Sequence, residues 1–416
     1  MAQSPLPGSD ISDIDDLARF LTASPSAFHA AATVRDTLVS HGFDNDSETT
    51  PGGHVMVHGG AVIAWWLPDH PARGFRIIGA HTDSPGLMLK PDPDVVREGF
   101  RQAAVEVYGG PILDSWFDRE LEFAGRIATY DGTEHLVRTG PVARVPHLAI
   151  HLYRGERPEL DRQVHLQPIM GVDRPVTQIV ADAAGVDPRQ VAAHELIAVD
   201  AQPPAALGGL FAAGRLDNLT SVHAGLKALI AAKDTAPQDA LVLAAFNHEE
   251  VGSASATGAG GPLLERVLSK IASSWGRSGA RVDLLEVASR SSVISADATH
   301  AVHPNYPGKH DPTHRPLLNR GPVVKVNANQ RYASDSTSQA IWHRAADAAG
   351  VPVQYFVSHN AVPCGSTIGP ITATRLGIAT VDVGVPLLSM HSARELAGIE
   401  DQLWFEAALT AYLSGA

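Results

Sequence analysis

The sequence predicts an α/β fold in which a mixed, mostly parallel sheet is flanked by helices and interrupted by an inserted β-rich domain. Three observations lead there. Short apolar runs at 75–80, 241–246, 292–296 and 380–387 have the length of buried strands, and each leads to an ionisable residue. Helical stretches at 218–233, 262–273, 337–348 and 401–413 alternate with them, as crossovers between parallel strands require. From about 91 to 206 this alternation gives way to β-type runs.

In chain order, Ile11, Ile14, Leu17 and Leu21 recur at helical spacing, and a second helical stretch follows the Ser24-Pro25 break. The segments 52–66 and 75–80 read as two strands joined by a turn at 68–74, the second ending at His81. Runs at 103–108, 121–129 and 135–138 alternate in strand fashion, and a Pro/Ala/Gly stretch at 202–209 ends the insert. The expected organisation is therefore a discontinuous catalytic unit, 1–90 and 207–416, with a β-rich domain at 91–206. Loop-closure entropy grows slowly with length, so an insert that folds by itself is tolerable.

Composition limits what such a chain does. With 44% hydrophobic and 19% charged residues and no run of about 18 apolar residues, it reads as globular, without a membrane span. The polar, acidic N-terminal segment lacks the pattern of a secretory signal, so a cytoplasmic location is expected. The single cysteine, Cys364, fits a reducing compartment. A net charge of -13 argues against nucleic acid as a partner, because phosphate binding needs clustered Lys and Arg.

The ends of the apolar runs carry the chemistry. His81, Asp217, Glu250, Asp297 and His391 supply imidazole and carboxylate donors, the set that two divalent cations about 3.5–4 Å apart require. Asp83, two residues after His81, is placed to orient its ring. Asp217 has two oxygens and suits a bridge between cations, although before a helix it could equally serve as an N-cap. Glu249 and Glu250 end an apolar strand. In extended backbone they would point opposite ways, one toward a metal and one toward the attacking water; a solvated pair is the alternative. Asp297 and His391 are each compatible with a turn or helix start when taken alone.

Longer strings narrow the choice. GAHTDSPG (79–86), GRLDN (214–218), NHEEVGS (247–253), SADATHAVHPNY (295–306), GPVVKVNANQRYA (321–333), PCGSTIGP (363–370) and MHSARE (390–395) resemble the aspartyl aminopeptidase family of di-zinc metallopeptidases. The likeness extends through EVYGGPILDSWFDREL (106–121) and PHLAIHL (146–152) and so covers nearly the whole chain. Thr299 and Ser366 are conservative departures.

This resemblance implies one zinc held by His81, Asp217 and Asp297 and another by Asp217, Glu250 and His391, with Glu249 as general base and Asp83 orienting His81. It also implies that the insert is a dimerisation domain, that the chain forms a tetrahedral homo-dodecamer, and that His151 reaches a neighbouring subunit's site. Two divalent ions per subunit are expected, zinc by resemblance, although the ligand types also admit cobalt and manganese. The expected reaction removes an N-terminal residue, by preference Asp or Glu, from a peptide substrate. Lys325, in an apolar strand, is the candidate cation for an acidic side chain, and His300 and His303 either complete that pocket or brace Asp297. A broad neutral aminopeptidase, a di-metal deacylase and a non-catalytic scaffold are the competing readings.

Overall fold

A computed structural model describes residues 11–156, 158–171, 173–276 and 283–416. Its centre is a nine-stranded sheet. From one edge to the other the strands are Phe43–Asp44, Gly52–His58, Ala61–Leu67, Ala240–Phe246, Phe75–His81, Ser292–Ala296, Ala379–Gly384, Val323–Val326 and Gln354–Val357. The four in the middle, from Ala240–Phe246 to Ala379–Gly384, run parallel. They place the chain after Phe246, His81, Ala296 and Gly384 along one edge of the sheet, where α/β proteins bind their ligands.

Period-two alternation sends neighbouring residues into two separate cores. Ile78, Leu241, Leu243, Ile294 and Val381 pack with the helices Leu216–Ala232, Ser336–Ala349 and Ile399–Leu413. Ile77, Val242, Ala244 and Val293 face the opposite side, against Leu263–Ser274 and Ile368–Leu376. Burial on both faces explains why Ala240–Phe246 is apolar at every position. Helix boundaries follow from side-chain chemistry. Asp335 and Ser338 form a reciprocal capping box, and Gly350, at φ 66°, closes that helix where a side chain would be strained.

Two features depart from the sequence expectation. The apolar segment 52–66 is a hairpin of two strands, not one, because Gly59 at φ 58° turns the chain. The run 380–387 also divides: Ala379–Gly384 stays in the large sheet, while Pro386–Leu388 joins a separate five-stranded sheet. That small sheet orders Ala205–Leu207, Leu210–Ala213, Glu395–Gly398, Pro386–Leu388 and Thr299–His300. It knits together the segments that flank Asp217, Asp297 and His391.

Residues from Gly86–Arg97 to Val191–Asp200 form a closed six-stranded barrel with its own core, including Leu87, Val105, Phe123, Ile127 and Leu196. Closure brings backbones close. A Cβ on Gly125 would lie 1.9 Å from the carbonyl oxygen of Glu195 on the adjacent strand, so only glycine fits. No helix among the described residues is long and apolar enough to cross a membrane.

Candidate metal centre

Strand ends deliver the acids and histidines to one place. His81 is the last residue of its strand, buried at 1% exposure. Its Nε2 lies 3.3 Å from Asp217 Oδ1, 3.5 Å from Asp297 Oδ1 and 4.0 Å from Glu249 Oε2. His391 approaches from the opposite side, with Nε2 3.4 Å from Asp217 Oδ2 and 3.5 Å from Glu250 Oε2. The two oxygens of Asp217 thus face different histidines. Donor atoms of His81, Asp217 and Glu250 lie within 4.8 Å of one another.

Both rings are oriented through their other nitrogen by backbone carbonyls. His81 Nδ1 meets the Asp83 carbonyl at 3.0 Å, and His391 Nδ1 meets that of Gly110 at 3.0 Å. The Asp83 carboxylate is a longer 3.5 Å from His81 Nδ1. It is engaged elsewhere, accepting the Tyr108 hydroxyl at 2.7 Å and the amides of Glu249 and Glu250 at 3.1 Å each. Those two glutamates lie in a short 3-10 turn after His248, which has φ 63°, so the opposed directions expected of a strand do not apply. Both face the same cleft.

The electrostatics are those of a site short of positive charge. Burial opposes an imidazolium at His81, yet Asp217, Asp297 and Asp83 outweigh it and raise the pKa well above the usual value. His391, against the same burial penalty, is pushed up to about 10 by its bond to Asp217 and the charge of Glu250. Burial and then Asp217 raise Glu250, and burial raises Glu249 to about 7 despite the opposing charge of His81. The raised basicity of both rings marks a site that favours positive charge, which divalent cations would supply on releasing those protons. Asp217 Oδ1 is buried with no well-formed hydrogen bond beyond the 3.3 Å approach of His81 Nε2, an expensive condition that a bound cation would relieve. The residues present fit a metal centre.

A contrasting set, Asp44, Asp46 and His54, also brings donors together. There both ring nitrogens are already used, Nδ1 by Asp46 at 2.8 Å and Nε2 by the Thr50 carbonyl at 2.9 Å.

The comparisons decide the family. A model of the family described as "Aminopeptidase I zinc metalloprotease (M18)" matches residues 20–413. The chain belongs to this M18 family. It is accordingly a zinc metallo-aminopeptidase, and proteins along its full length agree. A Streptomyces coelicolor protein named "Probable M18 family aminopeptidase 2" is 47% identical over 420 residues, spanning 96% of this chain and 97% of that protein. The S. cerevisiae mApe1 dodecamer structure is 27% identical with TM-score 0.84, covering 96% of both chains. The M18 aminopeptidase structure from Thermotoga maritima, at 24% identity, shares the fold with TM-score 0.88 over 100% of both chains.

The cleft of the enzyme, ≈ 1110 Å³ counted to its open mouth, is lined by the acidic cluster together with Lys325, His300, Tyr332 and Ser366. Lys325 is 2% exposed, with Nζ 3.1 Å from Asp297 Oδ2 and 3.0 Å from the Ala298 carbonyl. His300 lines the cleft with an exposed side chain, and the crowding around its ring, then Lys325, lower its pKa. His303 does not line it. Its Nδ1 accepts the Asn305 amide at 3.2 Å and its ring stands edge-on to Tyr306, a local turn contact. His151 lies on an exposed turn, Ile150–Leu152, and likewise does not line the cleft of its own subunit. Cys364 packs on Tyr332 and Phe356.

Three groups escaped the sequence analysis: Tyr108 on Asp83, the Gly110 carbonyl on His391, and Glu395 on the backbone of both Asp217 and His391. Their strings were part of the family resemblance, but no local pattern marks them as site residues.

Proposed function

We propose that this enzyme removes N-terminal residues, preferentially Asp or Glu, from peptides with two divalent cations that share Asp217. The observation that carries the two-metal reading is Asp217 itself, with Oδ1 toward His81, Oδ2 toward His391, and Oδ1 otherwise unpartnered. His81 and Asp297 would complete one cation site, and Glu250 and His391 the other. When bound, the cations would activate the attacking water and polarise the scissile carbonyl.

Glu249 carries the proton. Its carboxyl, held near pH 7 by burial, is matched to a general base at neutral pH. It takes a proton from water as the water oxygen adds to the carbonyl carbon. It returns that proton to the departing amine nitrogen as the C–N bond breaks. Asp83 accepts the Glu249 and Glu250 amides and so fixes the turn that aims both side chains.

Selectivity rests on Lys325. An ammonium has three N–H donors, and two are engaged by Asp297 and Ala298, leaving one for an acidic substrate side chain at the cleft wall. His300, which lines the same cleft, offers a further polar contact. A neutral aminopeptidase is the second reading, favoured by the same ion pair if Lys325 serves only to balance Asp297. His151 would act from a neighbouring subunit of an assembly such as a dodecamer, with the barrel as the dimerisation domain; dissociated subunits that keep full activity would exclude that role.

The test measures bound metal and compares Asp-, Glu-, Leu- and Ala-terminated substrates before and after chelation, with wild type and Lys325→Met. Two equivalents of metal and at least tenfold faster turnover of acidic substrates, a difference of about 1.4 kcal/mol, are expected. In Lys325→Met that preference should disappear. Equal rates on Leu in the wild type would leave only the neutral reading.

A further inference from the structure

We propose that Glu395 is a positioning residue that sets the separation of Asp217 and His391 and thereby the affinity of the metal pair. This rests on the two-metal reading above. Glu395 is 2% exposed and forms no ion pair among the described residues. Its Oε2 accepts the backbone amide of Asp217 at 3.0 Å, and its Oε1 accepts that of His391 at 2.7 Å. One carboxylate therefore spans two of the three residues assigned to the second cation.

Both residues lie on backbone that needs such a hold. His391 itself has φ 68°, and Arg215, two residues before Asp217, has φ 63°; L residues rarely adopt this left-handed region without outside support. Glu395 begins the strand Glu395–Gly398, paired in register with Ala213, so the small sheet presents its carboxylate between the two segments. The chains pass tightly there. A Cβ on Gly214 would meet the Ala393 carbonyl oxygen at 2.7 Å. On the far side of Asp217, Ser84 Oγ donates to its carbonyl at 2.7 Å, so the bridging residue is gripped at both backbone groups.

The chemistry calls for a carboxylate. Two oxygens accept two N–H groups at once, whereas glutamine has one acceptor and turns its NH₂ toward the other amide. Glu395→Gln thus keeps the size of the side chain but frees one of the two segments. Groups that orient metal ligands change affinity by about 10–100-fold when removed.

The experiment titrates zinc into metal-free, full-length protein by calorimetry, for wild type, Glu395→Gln and Leu268→Ala. The last truncates a buried side chain in the helix Leu263–Ser274, within the other core, and controls for general destabilisation. Circular dichroism and melting of each metal-free protein establish that it is folded at the titration temperature; should Glu395→Gln unfold, Glu395→Asp is titrated instead. Expected is zinc affinity about 10–100-fold weaker in the Glu395 variant, with Leu268→Ala binding like wild type. Activity of the Glu395 variant should recover as zinc is raised. A Glu395 variant that binds within twofold of wild type, or loses no more affinity than Leu268→Ala, overturns the proposal. Wild type that binds no metal would instead overturn the two-metal reading beneath it.

Discussion

In the open nine-stranded sheet, buried charge is gathered beyond one edge, where His81, Asp217, Asp297, Glu250 and Lys325 crowd within a few ångströms of one another. The barrel pairs opposite charges locally on its surface. Arg126 meets Glu134 and Glu195, Arg138 meets Glu122, and Arg144 meets Glu120, all at 2.7–2.8 Å and most with substantial exposure. Such pairs satisfy themselves and contribute little. The acid cluster does not, since Asp217 Oδ1 has only the long 3.3 Å approach of His81 Nε2 and no other partner. The contrast locates function: unbalanced buried charge is costly and persists where a ligand balances it.

The barrel nevertheless enters the centre through Tyr108 and Gly110, which hold Asp83 and His391. The two regions therefore differ in charge economy but share the support of the site.

The largest effect should come from Glu249→Gln, which preserves shape but removes the proposed base. A fall in kcat of about 10²–10⁴-fold with bound zinc unchanged is expected, read by steady-state kinetics and metal analysis. Activity close to wild type would break the assignment of chemistry to this cluster. Next is Asp382→Asn. The buried Asp382 carboxylate accepts Thr367 Oγ1 at 2.6 Å and the Ala333 amide at 2.6 Å, tying together two loops of the cleft wall. Leaving one donor unpaired costs about 1–3 kcal/mol, and KM should rise severalfold while metal content stays the same.

In the barrel, Arg126→Ala should lower unfolding free energy by about 1 kcal/mol or less and leave kcat unchanged. Part of that loss would be its stacking on Phe28, 4.4 Å from the ring centroid. A collapse of activity would erase the distinction between the regions.

The last effect is confined to acidic pH and arises where the N-terminal helices meet the barrel. Burial, aided by Arg138 and Arg215, lowers the His29 pKa to about 4 from the ordinary 6.5. Above 6.5 both folded and unfolded forms are neutral, and as pH falls toward 4 the unfolded chain takes up the proton first. Stability is therefore lost across that window. Chemical denaturation of wild type and His29→Asn from pH 8 to 4 should show a shallower decline in the variant, by roughly 1–2 kcal/mol.

How much was legible depends on the range of the interaction. Alternation of apolar runs and helical stretches encodes strands and helices locally, so the α/β class, the strand-end location of His81 and Asp297 and the β-rich character of the insert could be read directly. A turn governed by a single residue was harder. His248 in a left-handed conformation curls Glu249 and Glu250 out of the strand, and no periodicity signals it. His303 is the opposite case: its proximity in sequence to Asp297 suggested a shared pocket, but the intervening chain folds into a turn and uses the ring for itself.

Sequence alone determined which chemistry is possible, because donor types and apolar runs are properties of residues and their neighbours. Only the tertiary structure decided which donors come within reach of one another, that Asp83 holds a turn through its carboxylate, and that Glu395 accepts the amide of Asp217, 178 residues away. Those contacts follow from strand register in the small sheet and from closure of the barrel. Both depend on packing between distant parts of the chain, for which no local pattern carries the information.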